Sequence, residues 1–190
     1  MKRRTFIKII GETAGCAALF APAIITNTIA VQQQPAEGEL PKRLLGKTGL
    51  KISSTAFSGF ALNKYGKEEC NVGVKRAFEK GINYFDVAPA YGESENRMGV
   101  ALQGIDRSKY YLACKTKMRD GKGALEELER SLKRLKTDYF DIYQLHHLRT
   151  PQEVQQVFAE GGAMETIIKA KEQGKVRFVG FSAHTTKAAL

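Results

Sequence analysis

The feature that most constrains this 190-residue chain is the alternation of short apolar runs with amphipathic stretches. The runs are Thr55–Phe57, Ile82–Val87, Tyr110–Cys114, Tyr139–Leu145 and Val176–Phe181. Between them lie Lys67–Lys80, Glu95–Gln103, Gly123–Leu135 and Gly162–Gln173. Apolar runs this short suit buried strands, and the longer segments suit helices. In the third such segment Leu125, Leu128, Leu132 and Leu135 recur at spacings of 3, 4 and 3, which predicts one apolar stripe. Gly81 and Gly174 are expected to stop the first and last helices. Strands alternating with helices predict a parallel α/β sheet.

Such a sheet closes into a barrel or stays open and doubly wound. A dinucleotide-binding open sheet carries G-x-G-x-x-G after its first strand. Here that position reads Ser58-Gly59-Phe60-Ala61-Leu62-Asn63, so the barrel is preferred. Ahead of it, Arg43-Leu44-Leu45 and Leu50-Lys51-Ile52 flank Gly46-Lys47-Thr48-Gly49 and predict a hairpin that plugs the barrel base.

Each run after the first leads into a polar residue: Asp86, Lys115, His146 and Ser182, spaced by 29, 31 and 36. In a parallel barrel all such positions share one face, where active sites are built. Tyr91 follows Asp86 closely enough to lean over the same mouth. The set has a coherent chemistry. An ammonium at Lys115 would favour ionisation of a neighbouring phenol, suiting Tyr91 to general-acid work. Asp86 would keep Lys115 charged and fixed, and His146 would orient a substrate oxygen. One Asp, one His, one Lys and one Tyr form a poor metal-ligand set, so no metal is implied. The residues taken singly also allow a structural ion pair, a rim aromatic and a core histidine at either His146 or His147.

The excess of 30 Lys and Arg over 20 Asp and Glu raises nucleic-acid binding. The cations alternate with acids, however, as in Glu126-Glu127-Leu128-Glu129-Arg130 before Lys133-Arg134. That pattern predicts a solvated helix face with i,i+4 pairs rather than a nucleic-acid footprint. Three cysteines (Cys16, Cys70 and Cys114) with no C-x-x-C pair exclude a disulfide scaffold and zinc fingers.

The stretch GINYFDVAPAYGESE at 81–95 resembles the signature of the aldo-keto reductases. RLLGKTGLKIS at 43–53, LACKT at 112–116, DYFDIYQLHH at 138–147 and VRFVGFS at 176–182 agree in order. The resemblance runs from residue 43 to the end, and the segment from Phe158 to Thr185 is most like a bacterial branch. It implies a (β/α)8 TIM barrel that reduces small-molecule aldehydes or ketones with NADPH or NADH. The family's catalytic residues fall on Asp86, Tyr91, Lys115 and His146, with Tyr91 the proton donor. Ser182 matches a residue that binds the nicotinamide carboxamide, and the following position, often Asn in the family, is Ala183 here. A closed barrel has eight strands in about 250 residues, and five strand-helix units are readable. The expected architecture is thus a partial barrel at 43–190, with the chain read as part of a longer product and a truncated remnant as the alternative, and these 190 residues alone are expected to show little or no activity. The loop at Asn63–Tyr65 is expected to shape the substrate pocket. Competing functions are a non-catalytic cofactor-sensing barrel, for which the full tetrad has no use, and a sugar-isomerase type of enzyme, which would want a metal set. Substrate, choice of cofactor and oligomeric state stay open.

The N-terminus has the anatomy of an export signal. Lys2, Arg3, Arg4 and Lys8 precede an uncharged stretch from Thr13 to Gln34. Arg3-Arg4-Thr5-Phe6-Ile7-Lys8 resembles a twin-arginine signal. Residues 1–30 are expected to be that signal, with cleavage after Ala23 or Ala30, and 31–42 a linker. A periplasmic or membrane-associated protein follows, any membrane contact running through this segment. A retained anchor and lipid attachment at Cys16 are the alternatives.

Overall fold

The computed structural model describes residues 40–189. The signal, the cleavage sites, Cys16 and nearly all of the linker lie outside them.

A small antiparallel hairpin comes first. Strands β1 (Lys42–Leu44) and β2 (Lys51–Ser53) pair with Arg43 opposite Ile52. The loop is closed by Leu45 N–H donating to Leu50 O at 2.9 Å and by the Thr48 hydroxyl donating to Leu45 O at 2.6 Å.

The main sheet has five parallel strands: β3 (Phe57–Ser58), β4 (Tyr84–Asp86), β5 (Tyr111–Thr116), β6 (Phe140–Leu148) and β7 (Val176–Ala183). Their spatial order is β3-β4-β5-β6-β7. Each strand lies beside its predecessor in the chain, with no reversal. A doubly wound sheet reverses at a switch point and a barrel does not, so the order is that of a barrel wall, here a partial (β/α)8 barrel.

Helices α1 (Lys67–Glu79), α2 (Ser94–Ala101), α3 (Gly121–Leu135), α4 (Pro151–Phe158), α5 (Ala163–Glu172) and α6 (Thr186–Ala189) follow the strands. α1 and α5 stop where expected, with Gly81 at φ 92° and Gly174 at φ 77°. The helix-facing side of the sheet forms one large core in which Val74, Phe85, Met98, Leu112, Leu128, Tyr143 and Ile167 are fully buried. At the other face, Leu50 of the hairpin packs on Ala113 and Ile142, with Tyr84, Tyr111 and Phe178 beside them. Asn83 laces the hairpin to the start of β4, accepting from Ser53 N–H at 2.7 Å and donating to Lys51 O at 3.0 Å. The hairpin therefore sits at the base, as a plug should.

Three expectations are corrected. Leu125 is not part of the α3 stripe: it is 46% exposed, and Ala124 faces the core instead. The helix starts two positions earlier, at Gly121, with Asp120 as N-cap accepting from Gly123 N–H at 2.8 Å. Glu127 is not on a solvated face. It is buried, takes the Thr116 hydroxyl at 2.6 Å and pairs with Arg130 at i,i+3 rather than i,i+4. Helix α4 is not among the four segments that the periodicity predicts, although Thr150-Pro151-Gln152-Glu153 is a helix start: the Thr150 hydroxyl accepts from Glu153 N–H, and Glu153 accepts from Arg149 N–H at 2.7 Å.

Helices α2 and α3 meet at Gly99, where an added Cβ would lie 2.2 Å from Arg134 O. One turn earlier, buried Glu95 takes Arg134 Nη1 at 3.0 Å.

Candidate active site

The strands end close to where the sequence predicts. Asp86 is the last residue of β4, Lys115 the penultimate residue of β5, and Ser182 the penultimate residue of β7. β6 runs three residues past its expected end, so His146 lies inside the strand rather than after it.

The sheet register places Asp86 opposite Ala113, two positions before Lys115. The long side chain of Lys115 spans that offset. Its Nζ forms an ion pair with Asp86 Oδ1, donates to Val87 O at 3.3 Å and lies 3.3 Å from the Tyr91 hydroxyl. The Lys115 side chain is 6% exposed and that of Asp86 23%. The ammonium is thus sheltered, and its neutralising partner keeps some access to water.

Tyr91 closes a short 3-10 turn, Pro89–Tyr91, after β4. The next residue, Gly92, has φ 57°, and a Cβ there would lie 2.8 Å from Asn63 Oδ1. That oxygen accepts Glu93 N–H at 3.1 Å. Asn63 therefore pins the backbone just past Tyr91, and only glycine leaves room for it. Arg97 holds the Asn63 loop in turn, donating to Leu62 O and to Tyr65 O at 2.7 Å. Phe60 packs edge-on against Tyr91, with ring centroids 5.4 Å apart. The Asn63–Tyr65 loop is expected from the sequence to shape the substrate pocket, but the support that Asn63, Phe60 and Arg97 give Tyr91 is not. A strand followed by Gly and an Asn-bearing loop was the available signal.

The His146 ring stands perpendicular to Tyr91 with centroids 5.6 Å apart. Burial, then the positive charges of Lys115 and Lys117 and the rings of His147 and His184, push its pKa down to about 4. At neutral pH it is an uncharged imidazole, and its buried Nδ1 has no hydrogen-bond partner. Ser182 is half-buried, and its Oγ accepts His147 N–H at 2.9 Å. The hydroxyl proton of Ser182 is left to donate.

Asp86, Tyr91, Lys115 and His146 thus converge, and Ser182 joins them through the backbone of His147. Among the described residues no cluster of three or more His, Cys, Asp or Glu side chains is arranged to hold a metal ion. Cys70 and Cys114 are free and buried, and burial pushes the Cys114 thiol well up.

The family model of the aldo/keto reductases matches residues 53–189. The chain belongs to the aldo/keto reductase family. It is 32% identical over 154 residues to the L-galactose dehydrogenase of Arabidopsis thaliana, covering 74% of this chain and 47% of that protein. It is 37% identical over 147 residues to the NAD/NADP-dependent indole-3-acetaldehyde reductase of Schizosaccharomyces pombe, covering 73% and 50%. Among solved structures, the holo form of an aldo-keto reductase from Bacillus halodurans superposes with a TM-score of 0.67 at 28% identity, covering 77% of this chain and 51% of that one. The chain spans about half the length of these relatives.

Proposed function

We propose that the protein containing this chain is an NAD(P)H-dependent reductase of aldehydes or ketones, with Tyr91 as general acid. The observation that carries this reading is the Lys115 ammonium, lying between the Asp86 carboxylate and the Tyr91 hydroxyl, 3.3 Å from the latter. A reductase of a carbonyl must place a proton on the oxygen as the carbon is reduced. The Tyr91 O–H gives that proton. The phenolate left behind is stabilised by Lys115, whose charge is fixed by Asp86. His146, neutral at pH 7, serves as a hydrogen-bonding group that orients the carbonyl oxygen rather than as a charged acid.

The nicotinamide cofactor, when bound, supplies the hydride for the carbonyl carbon. The residues present suit its nicotinamide end. The Ser182 hydroxyl has a proton free for an amide oxygen. The test is direct. The whole protein that contains this chain is incubated with NADPH or NADH and a simple aldehyde, and dihydronicotinamide absorbance is followed alongside fluorescence titration of cofactor binding. Aldehyde-dependent oxidation of the cofactor supports the reading; cofactor binding without turnover points to the sensing alternative.

The export reading rests on Arg3-Arg4-Thr5-Phe6-Ile7-Lys8 and the uncharged stretch after it. A bacterial, periplasmic or membrane-associated reductase is the corresponding proposal. Residues 1–42 fused to a reporter should direct export, and Arg3→Lys with Arg4→Lys should abolish it. A reporter that stays inside the cell with the unaltered segment would end this reading.

A further inference from the structure

Strand β6 breaks its own alternation at the site. Leu145 and Leu148 both face the helix-side core, although they are three residues apart. Strict alternation would bury Leu145 and His147 together. The register against β7 shows how this is avoided: Leu145 pairs with Phe181 and Leu148 with Ala183, three steps on one strand against two on the other. The extra residue makes a β-bulge, a device that re-aims side chains. His147 takes φ 62°, which a non-glycine residue adopts only when its surroundings hold it there.

A bulge frees backbone groups from the ladder, and buried ones must find partners. The His147 N–H goes to Ser182 Oγ at 2.9 Å. The carbonyls of His146 and His147 both go to one atom, Arg119 Nη2, at 3.0 and 3.2 Å. The Arg119 side chain is 12% exposed and also lies 3.6 Å from Glu153 of α4. Its own backbone is anchored, since Arg119 O accepts Ala163 N–H at 2.9 Å at the start of α5. Arg119 thus ties its own loop and the starts of α4 and α5 to the bulged peptide.

We infer that Arg119 is a positioning residue: by covering the His146 and His147 carbonyls it holds the bulge that sets the His146 ring against Tyr91. The inference rests on the reductase reading only for its consequence in turnover. The geometry it claims is separate from any chemistry.

The experiment uses the whole protein that contains this chain and two readouts. The first is the nuclear Overhauser contact between the His146 and Tyr91 rings. The second is kcat against KM for an aldehyde. Arg119→Ala should lose most of the ring contact and lower kcat by up to about 10²-fold, with KM changed far less, because a small misplacement near the chemistry is that costly. Arg119→Lys keeps the charge and a single donating nitrogen on a shorter side chain, and should restore the contact and kcat only in part. His147→Gly accepts the left-handed backbone without strain and should keep the contact. If Arg119→Ala does not fold, Arg119→Lys decides by the same contact. An undiminished contact in the variant that folds overturns the inference, whatever the turnover. A chain without turnover whose ring contact still depends on Arg119 overturns the reductase reading and leaves the positioning role standing.

Discussion

The Nζ of Lys115 and the hydroxyl of Tyr91 lie 3.3 Å apart, although 24 residues separate them in the chain. The ammonium reaches the phenol from a neighbouring strand, and its other contact is the carboxylate at the end of β4. Tyr91→Phe removes the proton and little else, because the ring keeps its edge contacts with Phe60 and His146. Carbonyl reduction should fall by at least about 10²-fold, with melting temperature little changed. Turnover equal to that of the unaltered protein would remove Tyr91 from the mechanism.

The Asp86–Lys115 pair should respond unequally to loss of either partner. Asp86→Ala strands a nearly buried ammonium, and the cost falls toward the lower end of the about 3–5 kcal/mol expected for breaking a buried pair. Lys115→Met leaves a carboxylate that retains 23% exposure and can hydrate. Urea midpoints should therefore fall further for Asp86→Ala than for Lys115→Met. Equal shifts would contradict this account.

His146 supplies a pH dependence of known sign. Its pKa falls from 6.5 to about 4 on folding. Between those values the unfolded chain binds a proton that the folded chain does not, so stability drops as pH falls through that window and is unaffected by this group above it. His146→Asn cannot titrate. Its melting temperature should decline less steeply than that of the unaltered chain between pH 7 and about pH 4.5. Parallel declines would show that His146 titrates normally in the fold.

Gly99→Ala tests the α2–α3 contact. Helix propensity alone favours alanine by roughly 1 kcal/mol. Here the new methyl would meet backbone at 2.2 Å, and backbone does not rotate away. A net loss of about 1–3 kcal/mol is expected from overpacking, measured by urea denaturation. A gain in stability would mean that the helices separate freely.

The strand-helix alternation and the polar residues beyond each apolar run were legible because both are local patterns. A strand's end and the residue occupying it are read from a few neighbours, and parallel geometry then brings Asp86, Lys115 and His146 to one rim. What escaped depends on tertiary partners. Glu127 looks like a surface acid until Thr116 and Lys117 N–H meet it across α3 and β5. Asp141, 1% exposed, binds Arg107 and Arg177 and accepts Leu112 N–H, and nothing in the run Tyr139–Leu145 announces that role. Asn63 and Arg119 act on backbone groups of distant residues, which no local spacing encodes. The paired histidines in Gln144-Leu145-His146-His147-Leu148 were the one visible sign of a broken alternation.

The unreversed strand order has a consequence for synthesis. Each strand needs only the one made just before it as a template, so the sheet can grow in the direction in which a ribosome releases it. Asp86 and Tyr91 emerge first, Lys115 then arrives to neutralise the carboxylate, and His146 docks last against a phenol already in place. The proposed proton-delivering group is in place as soon as β6 has been laid down.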